Sequence, residues 1–287
     1  MPTLSRPDGA AIYYEVHGSG HPLLLIAPGG VSSQVAFWGR SPFSPINEFA
    51  NDFQVIAMDQ RHAGQSPAPA AAWSWAAAAA DQLAVLDAVG AERAHVMGGC
   101  IGCAHIWNLV GAAPGRITAA VCQNPVGLDH TNSLGTFYAM FNETMRVARS
   151  EGLAAVAKAS ETNGLFVVNN AAGPFCQRLH DDAAFRAELA EMTVEGYVAL
   201  IIRFRDGMWP NSPPYFTVSE AGMKAFPVPQ LVLPGSDAFH PTSIGERICR
   251  EAPEAHCLGV EWQKPEQVPA TVAAVRAFLK AHTPGAA

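Results

Sequence analysis

The stretch Ala94-His95-Val96-Met97-Gly98-Gly99-Cys100-Ile101-Gly102 decides how this chain is read. An apolar, strand-like run enters it and a helix-like segment, Cys103 to Val110, leaves it. A strand, a glycine-bounded reactive residue and a helix in that order form a nucleophile elbow. The elbow residue occupies a strained turn, and side chains at the flanking positions would strike the strand and the helix, hence the glycines. The reactive position holds cysteine rather than serine, which points to thiolate chemistry. The start of the following helix supplies a positive dipole end that favours the thiolate.

Working outward, Leu23-Leu24-Leu25-Ile26-Ala27 is a continuous apolar run ending in Pro28-Gly29-Gly30. Runs of this kind suit central strands of a parallel sheet, buried on both faces. Similar runs recur at Gln54 to Met58, Ala94 to Met97, Ile117 to Cys122, Gln230 to Leu233 and Ala255 to Val260. Alternation in Ala11 to Val16 suggests an edge strand. Helix-period segments lie between them, at Trp75 to Val89 and Gln267 to Lys280. Strand and helix in repeated alternation predict a mostly parallel, doubly wound α/β sheet.

The alternation breaks after about residue 128. Leu134 to Ser150, Leu153 to Glu161 and Asp181 to Trp209 read as helices, with Pro213-Pro214 closing the last. We therefore expect a core domain of residues 1–127 and 227–287, with residues 128–226 inserted as a helical cap over the C-terminal ends of the strands. Phe137, Phe141 and Met145 recur at helical spacing and read as packing, whereas Trp209 and Tyr215 could face a ligand.

Composition narrows the function. Of 287 residues, 49% are hydrophobic and 15% charged, enough for a sizeable core and against disorder. The formal charge of −7 with scattered basic residues argues against nucleic acid as a partner. The N-terminal residues lack the apolar core of a signal peptide, and no apolar run reaches about eighteen residues, so a cytoplasmic protein without membrane contact is expected. The six cysteines accordingly read as reduced and mostly buried, with Cys122, Cys249 and Cys257 as small core hydrophobes. Oligomeric state stays open, a homodimer included.

Four features fall in a fixed order: the Pro28-Gly29-Gly30 turn, the turn Met58-Asp59-Gln60-Arg61-His62-Ala63-Gly64-Gln65-Ser66, the elbow at Cys100, and Leu233-Pro234-Gly235-Ser236-Asp237 after a late strand. This order resembles the α/β-hydrolase fold superfamily, in its capped branch of esterases, lactonases and C–C hydrolases. The resemblance covers nearly the whole chain, and the cysteine in the elbow is similar to that of dienelactone hydrolases, although the mid-chain cap is not. It implies a nucleophile at Cys100 and an oxyanion hole from the N–H groups of Ile101 and Gly30. It also implies a triad acid at Asp237, with Asp129 as the alternative place. Each fixed donor aimed at an oxyanion is worth about 3 kcal/mol.

The histidine departs from the family pattern. The loop after the last strand, Gly259 to Glu266, contains none, while His256 falls at the wrong end of that strand and His282 in the tail. His240, three residues after Asp237 in the same loop, is the candidate base, since the imidazole need only reach the sulfur. His62 is its rival, with a direct role in proton transfer or substrate binding; His105 reads as a helix-packing residue. Phe37 and Trp38, after the first turn, are candidate pocket residues with His62, Trp209 and Tyr215. Cys100-x-x-Cys103 has the spacing of a thiol–disulfide motif, but the elbow accounts for Cys100 without it. A zinc site from Cys100, Cys103 and His105 would crowd three ligands on one helical turn.

These readings predict a cofactor-free, metal-free Cys-His-Asp hydrolase of a small ester, enol ester, lactone or thioester, whose partner is a small molecule with an activated carbonyl. Acyl transfer or carbon–carbon cleavage on the same scaffold is the alternative within enzymes. A non-catalytic small-molecule binding protein with a degenerate triad is the alternative outside them.

Overall fold

The computed structural model describes residues 2–285; Met1, Ala286 and Ala287, inside the expected core boundaries, lie outside the described residues. Eight strands form one sheet: β1 (Thr3–Ser5), β2 (Ala11–His17), β3 (His21–Ile26), β4 (Phe53–Met58), β5 (Ala94–Gly99), β6 (Ile117–Gln123), β7 (Gln230–Leu233) and β8 (Ala255–Cys257). Their spatial order is β1-β2-β4-β3-β5-β6-β7-β8. β1 and β2 are antiparallel additions, and every pair from β4 to β8 is parallel. Every residue of β5, β6 and β7 is buried, which is why these strands read as mainly apolar runs, with His95, Thr118, Gln123 and Gln230 the polar exceptions.

The helices are α1 (Pro45–Phe49), α2 (Trp75–Ala88), α3 (Ile101–Ala112), α4 (Leu134–Glu151), α5 (Leu153–Ala159), α6 (Cys176–Asp181), α7 (Ala183–Ala190), α8 (Val194–Met208), α9 (Glu220–Lys224), α10 (Thr242–Glu251) and α11 (Val268–Ala281). Alternate side chains of the strands serve opposite faces of the sheet. Leu24 and Ile26 join the core that holds α2, α3 and α10, while Leu23 and Leu25 join Phe49 of α1 and Val272, Val275 and Leu279 of α11. Helices α4 to α9 all lie between β6 and β7, where no strand occurs among the described residues.

Three local readings are corrected. The expected helix from 181 to 209 is broken, because Asp182 accepts the N–H groups of Ala184 and Phe185 and starts α7. Thr193 accepts the Gly196 N–H and starts α8. The last strand stops at Cys257, and a 3-10 turn at Val260–Gln263 replaces its expected end. Cys249 and Cys257 are not reduced but bonded to each other: α10 folds back along β8 and brings their Cα atoms to 5.9 Å. Cys100, Cys103, Cys122 and Cys176 are free.

The register fixes where chemistry can be placed. Ile26 of β3 lies beside Gly98 of β5, Gly99 beside Gln123 of β6, and Gln123 beside Leu233 of β7. The residues that follow these strand ends therefore form a row along one edge of the sheet: Pro28-Gly29, Cys100, Asn124 and the loop from Pro234. Crevices outside the carboxyl ends of parallel strands are where such sheets hold ligands.

Candidate active site

Cys100 is the single residue between β5 and α3, and its φ of 56° puts it in the left-handed region. Two glycines make that turn fit. A Cβ on Gly98 would lie 2.5 Å from the Gly102 carbonyl carbon and oxygen, and one on Gly102 would lie 2.4 Å from the Ile26 oxygen. The helix is thus pressed onto the sheet at the elbow, with the half-buried Cys100 at its N-terminus.

The loop after β7 brings the other two groups. Gly235 lets it close on itself, since a Cβ there would meet the His240 Cβ at 2.3 Å and the His240 carbonyl oxygen at 2.5 Å. His240 Nδ1 donates to Asp237 Oδ1 and Oδ2 at 2.9 and 2.8 Å. Asp237 also accepts the backbone N–H groups of Phe239 and His240, at 2.8 and 3.1 Å. These bonds, the one from the His240 ring first, hold the Asp237 carboxyl down at about 2. From the insertion, Asn132 Nδ2 donates to the Ala238 oxygen at 2.9 Å, and Phe137 of α4 meets the Phe239 ring edge-on at 5.4 Å.

His240 Nε2 is buried with no well-formed hydrogen bond, and it faces the Cys100 sulfur. Burial works against the imidazolium, but the Cys100 charge and the Asp237 bond outweigh it and raise His240 to about 10. Burial likewise opposes the thiolate, yet the His240 charge and the N–H groups of Ile101 and Gly29 bring Cys100 below the ordinary thiol value of 9.0. Both shifts favour the same state, a thiolate beside an imidazolium. The Gly29 N–H of the first turn also favours the thiolate, and Gly29 and Gly30 both line the cavity under α4.

Cys100 and His240 stand between two cavities. One, of about 490 Å³, lies against α4 and is lined chiefly by apolar groups, among them Phe137, Met140, Val167, Trp209 and Phe239. The other, of about 710 Å³, shares Gly29, Cys100 and His240 with it, touches no residue of α4, and is lined besides by Phe37, Arg40, Gln123, Asn124 and Gln263. Gln263 and Pro265 belong to the late loop that carries no histidine, so that loop here walls a cavity. Sequence reasoning missed Arg40, Gln123, Asn124 and Gln263. The polar pair Gln123-Asn124 at the end of the wholly buried β6 was the available signal.

Of the other expected site residues, Phe37 and Trp209 line these cavities, one each, and Trp38, Tyr215 and His62 line neither. Trp38 is buried in the core on the α11 face, and Tyr215 packs on Trp107. His62 sits between the Phe175 and Phe204 rings, where burial pushes it down to about 3, and it lines a small separate cavity with Arg178 and Asp182. His105 accepts from Gln82 at 2.8 Å among the Trp73 and Trp75 rings, also held neutral by burial. The Cys103 thiol points to the Gly98 and Gln123 carbonyls, and burial with the Cys122 neighbour pushes it well up. Asp129 accepts from Ser243 at 2.5 Å and from Thr131, a brace between the start of the insertion and α10. Among the described residues no group of three or more His, Cys, Asp or Glu is placed to hold a metal ion, and no helix is long and apolar enough to cross a membrane.

Comparison with known proteins agrees with this layout. Residues 22–153 match the family model described as the alpha/beta hydrolase fold. Over 115 residues the chain is 37% identical to RutD of Azorhizobium caulinodans, provisionally named a carbamate hydrolase. That match spans 40% of this chain and 41% of the relative, so the chain covers less than half the length of this curated relative. Among solved structures, an esterase from Rhodococcus sp. ECU1013 superposes with a TM-score of 0.63 at 20% identity, covering 98% of both chains. The enol-lactonase of Burkholderia xenovorans LB400 superposes at 0.61 with 19% identity, covering 97% of this chain and 99% of its own.

Proposed function

This chain is an α/β-hydrolase-fold protein, and from that premise we propose that it hydrolyses a small ester, enol ester, lactone or thioester through an acyl thioester on Cys100. The observation that carries the reading is the line from Asp237 through the His240 ring to the Cys100 sulfur, at the edge of the sheet where the ends of β3, β5, β6 and β7 lie side by side. The hydrolase named for the partly matched relative and the esterase and enol-lactonase of like fold support the same class.

In this mechanism the thiolate adds to the carbonyl carbon. The Ile101 and Gly30 N–H groups receive the developing oxyanion. The tetrahedral species collapses as the acyl–oxygen bond breaks, and the His240 imidazolium gives its proton to the departing alkoxide. Neutral His240 then takes a proton from water, whose oxygen attacks the thioester, and the thiolate and imidazolium are restored with release of the acid. Asp237 fixes the ring by holding Nδ1–H, which leaves Nε2 toward the sulfur. Thioester intermediates favour activated or strained substrates over plain amides. Residues 128–226 act as the cap, with α4 roofing the apolar cavity that takes the acyl group.

Intact-protein mass spectrometry of wild type, Cys100→Ala and His240→Ala, quenched in acid after exposure to activated esters and lactones, tests the reading. An acyl adduct that maps to Cys100 and persists in His240→Ala is expected. Turnover by folded Cys100→Ala at the wild-type rate would overturn it.

A further inference from the structure

We propose that the 710 Å³ cavity that α4 does not touch receives the alcohol half of the ester and selects a hydroxy acid, an alcohol that also carries a carboxylate; this rests on the acyl-enzyme reading above. Cys100 and His240 line both cavities, so an acyl group bound against α4 leaves its alkoxide pointing to the other side. That side is chemically different. Gln123 is only 3% exposed, and its Oε1 has no hydrogen-bond partner; the Oδ1 of Asn124 is buried and unpartnered too. An amide oxygen left unpaired is costly, so two on side chains that line one cavity favour a ligand that reaches in and donates. Asn124, at the end of β6, sits in the left-handed region at φ 49°, which asparagine tolerates.

Arg40 supplies the charge. Its guanidinium lies over the Phe37 ring at 4.8 Å, and among the described residues it pairs with no carboxylate. Apart from Cys100 and His240, it is the only ionisable side chain lining the cavity. A planar cation held on an aromatic wall matches a carboxylate in two-pronged geometry. Amide oxygens for hydroxyl donors and a guanidinium for a carboxylate together describe a hydroxylated acid, whereas the cavity against α4 offers such a group little. After acylation the product leaves as the free hydroxy acid, its alcohol oxygen carrying the proton from His240.

Butyryl esters of ethanol, glycerol, lactate and glycerate, with p-nitrophenyl butyrate as control, separate the parts. Wild type is expected to acylate Cys100 fastest from the glycerate ester, by about tenfold in kcat/KM over the ethyl ester, the scale of one charge-assisted contact. Arg40→Ala, an exposed residue whose loss spares the core, should remove the advantage of glycerate over glycerol through KM. It should cost the glycerate ester far more than p-nitrophenyl butyrate, which reports whether Cys100 still acylates. Gln123→Leu should remove the advantage of glycerol over ethanol. Equal rates with all four alkyl esters, or an Arg40→Ala loss shared by every ester, would overturn the proposal while leaving Cys100 acylation by the control intact. No Cys100 adduct from any ester, the control included, would end the underlying reading and this one with it.

Discussion

Gly235→Ala puts the geometry of the base under direct test. Ordinary carbon contacts begin at 3.4 Å, and the new methyl would stand 2.3 Å from the His240 Cβ, with the His240 carbonyl oxygen at 2.5 Å behind it. Neither atom is the free end of a side chain, so the loop must give by at least about 1.1 Å at the residue that faces the sulfur. A misplacement of about 1 Å at a reacting group costs on the order of 100-fold in rate. Overpacking of this kind costs about 1–3 kcal/mol of stability, which a folded protein of this size should survive. Gly235→Ala is therefore expected to keep its circular dichroism and a cooperative melt, to lower kcat/KM by about 100-fold, and to accumulate the Cys100 acyl adduct. A folded Gly235→Ala protein that turns over at the wild-type rate would refute the argument that this loop closure positions the base.

Two further outcomes are expected. Alkylation of Cys100 by iodoacetamide should have its midpoint below the ordinary thiol value of 9.0, and that midpoint should move up in His240→Ala, where burial acts unopposed by the imidazolium; turnover, unlike alkylation, should decline as pH rises through about 10, where His240 loses its proton. Replacing Cys249 and Cys257 together by serine opens a loop with a sequence separation of 8 and should lower the unfolding free energy by about 2–3 kcal/mol in urea titration, with dithiothreitol giving the same loss.

The sheet was legible because its strands are buried on both faces, so that Leu23 to Ile26 or Ile117 to Cys122 could hardly be surface structure. Cys100 was legible for a local reason, the glycines at 98 and 102, and the close contacts at both explain them. His240 was reachable because Asp237 and His240 are near in sequence and their pairing is a property of one loop. What escaped is what depends on separate segments meeting. The pairing of Cys249 with Cys257 follows from how α10 folds back on β8. Arg40, Gln123 and Gln263 share a cavity only because three loops converge at one sheet edge. Tyr215 and Trp38 were open to misreading for the opposite reason: a large aromatic looks alike in sequence whether it lines a cavity or fills the core. The breaks at Asp182 and Thr193 carried capping signals that the long apolar period between them concealed.

The loop that carries Asp237 and His240 is tied to the segment around the start of α4. Asn132, just before α4, holds the Ala238 oxygen, and Phe137 of α4 holds Phe239, both on residues between Asp237 and His240. Lifting α4 to admit a substrate would release those two grips on the segment that aims the imidazole. Under the mechanism proposed above, the steadiness of the imidazole then depends on how firmly α4 is held, so packing far from Cys100 sets how well the proton is delivered.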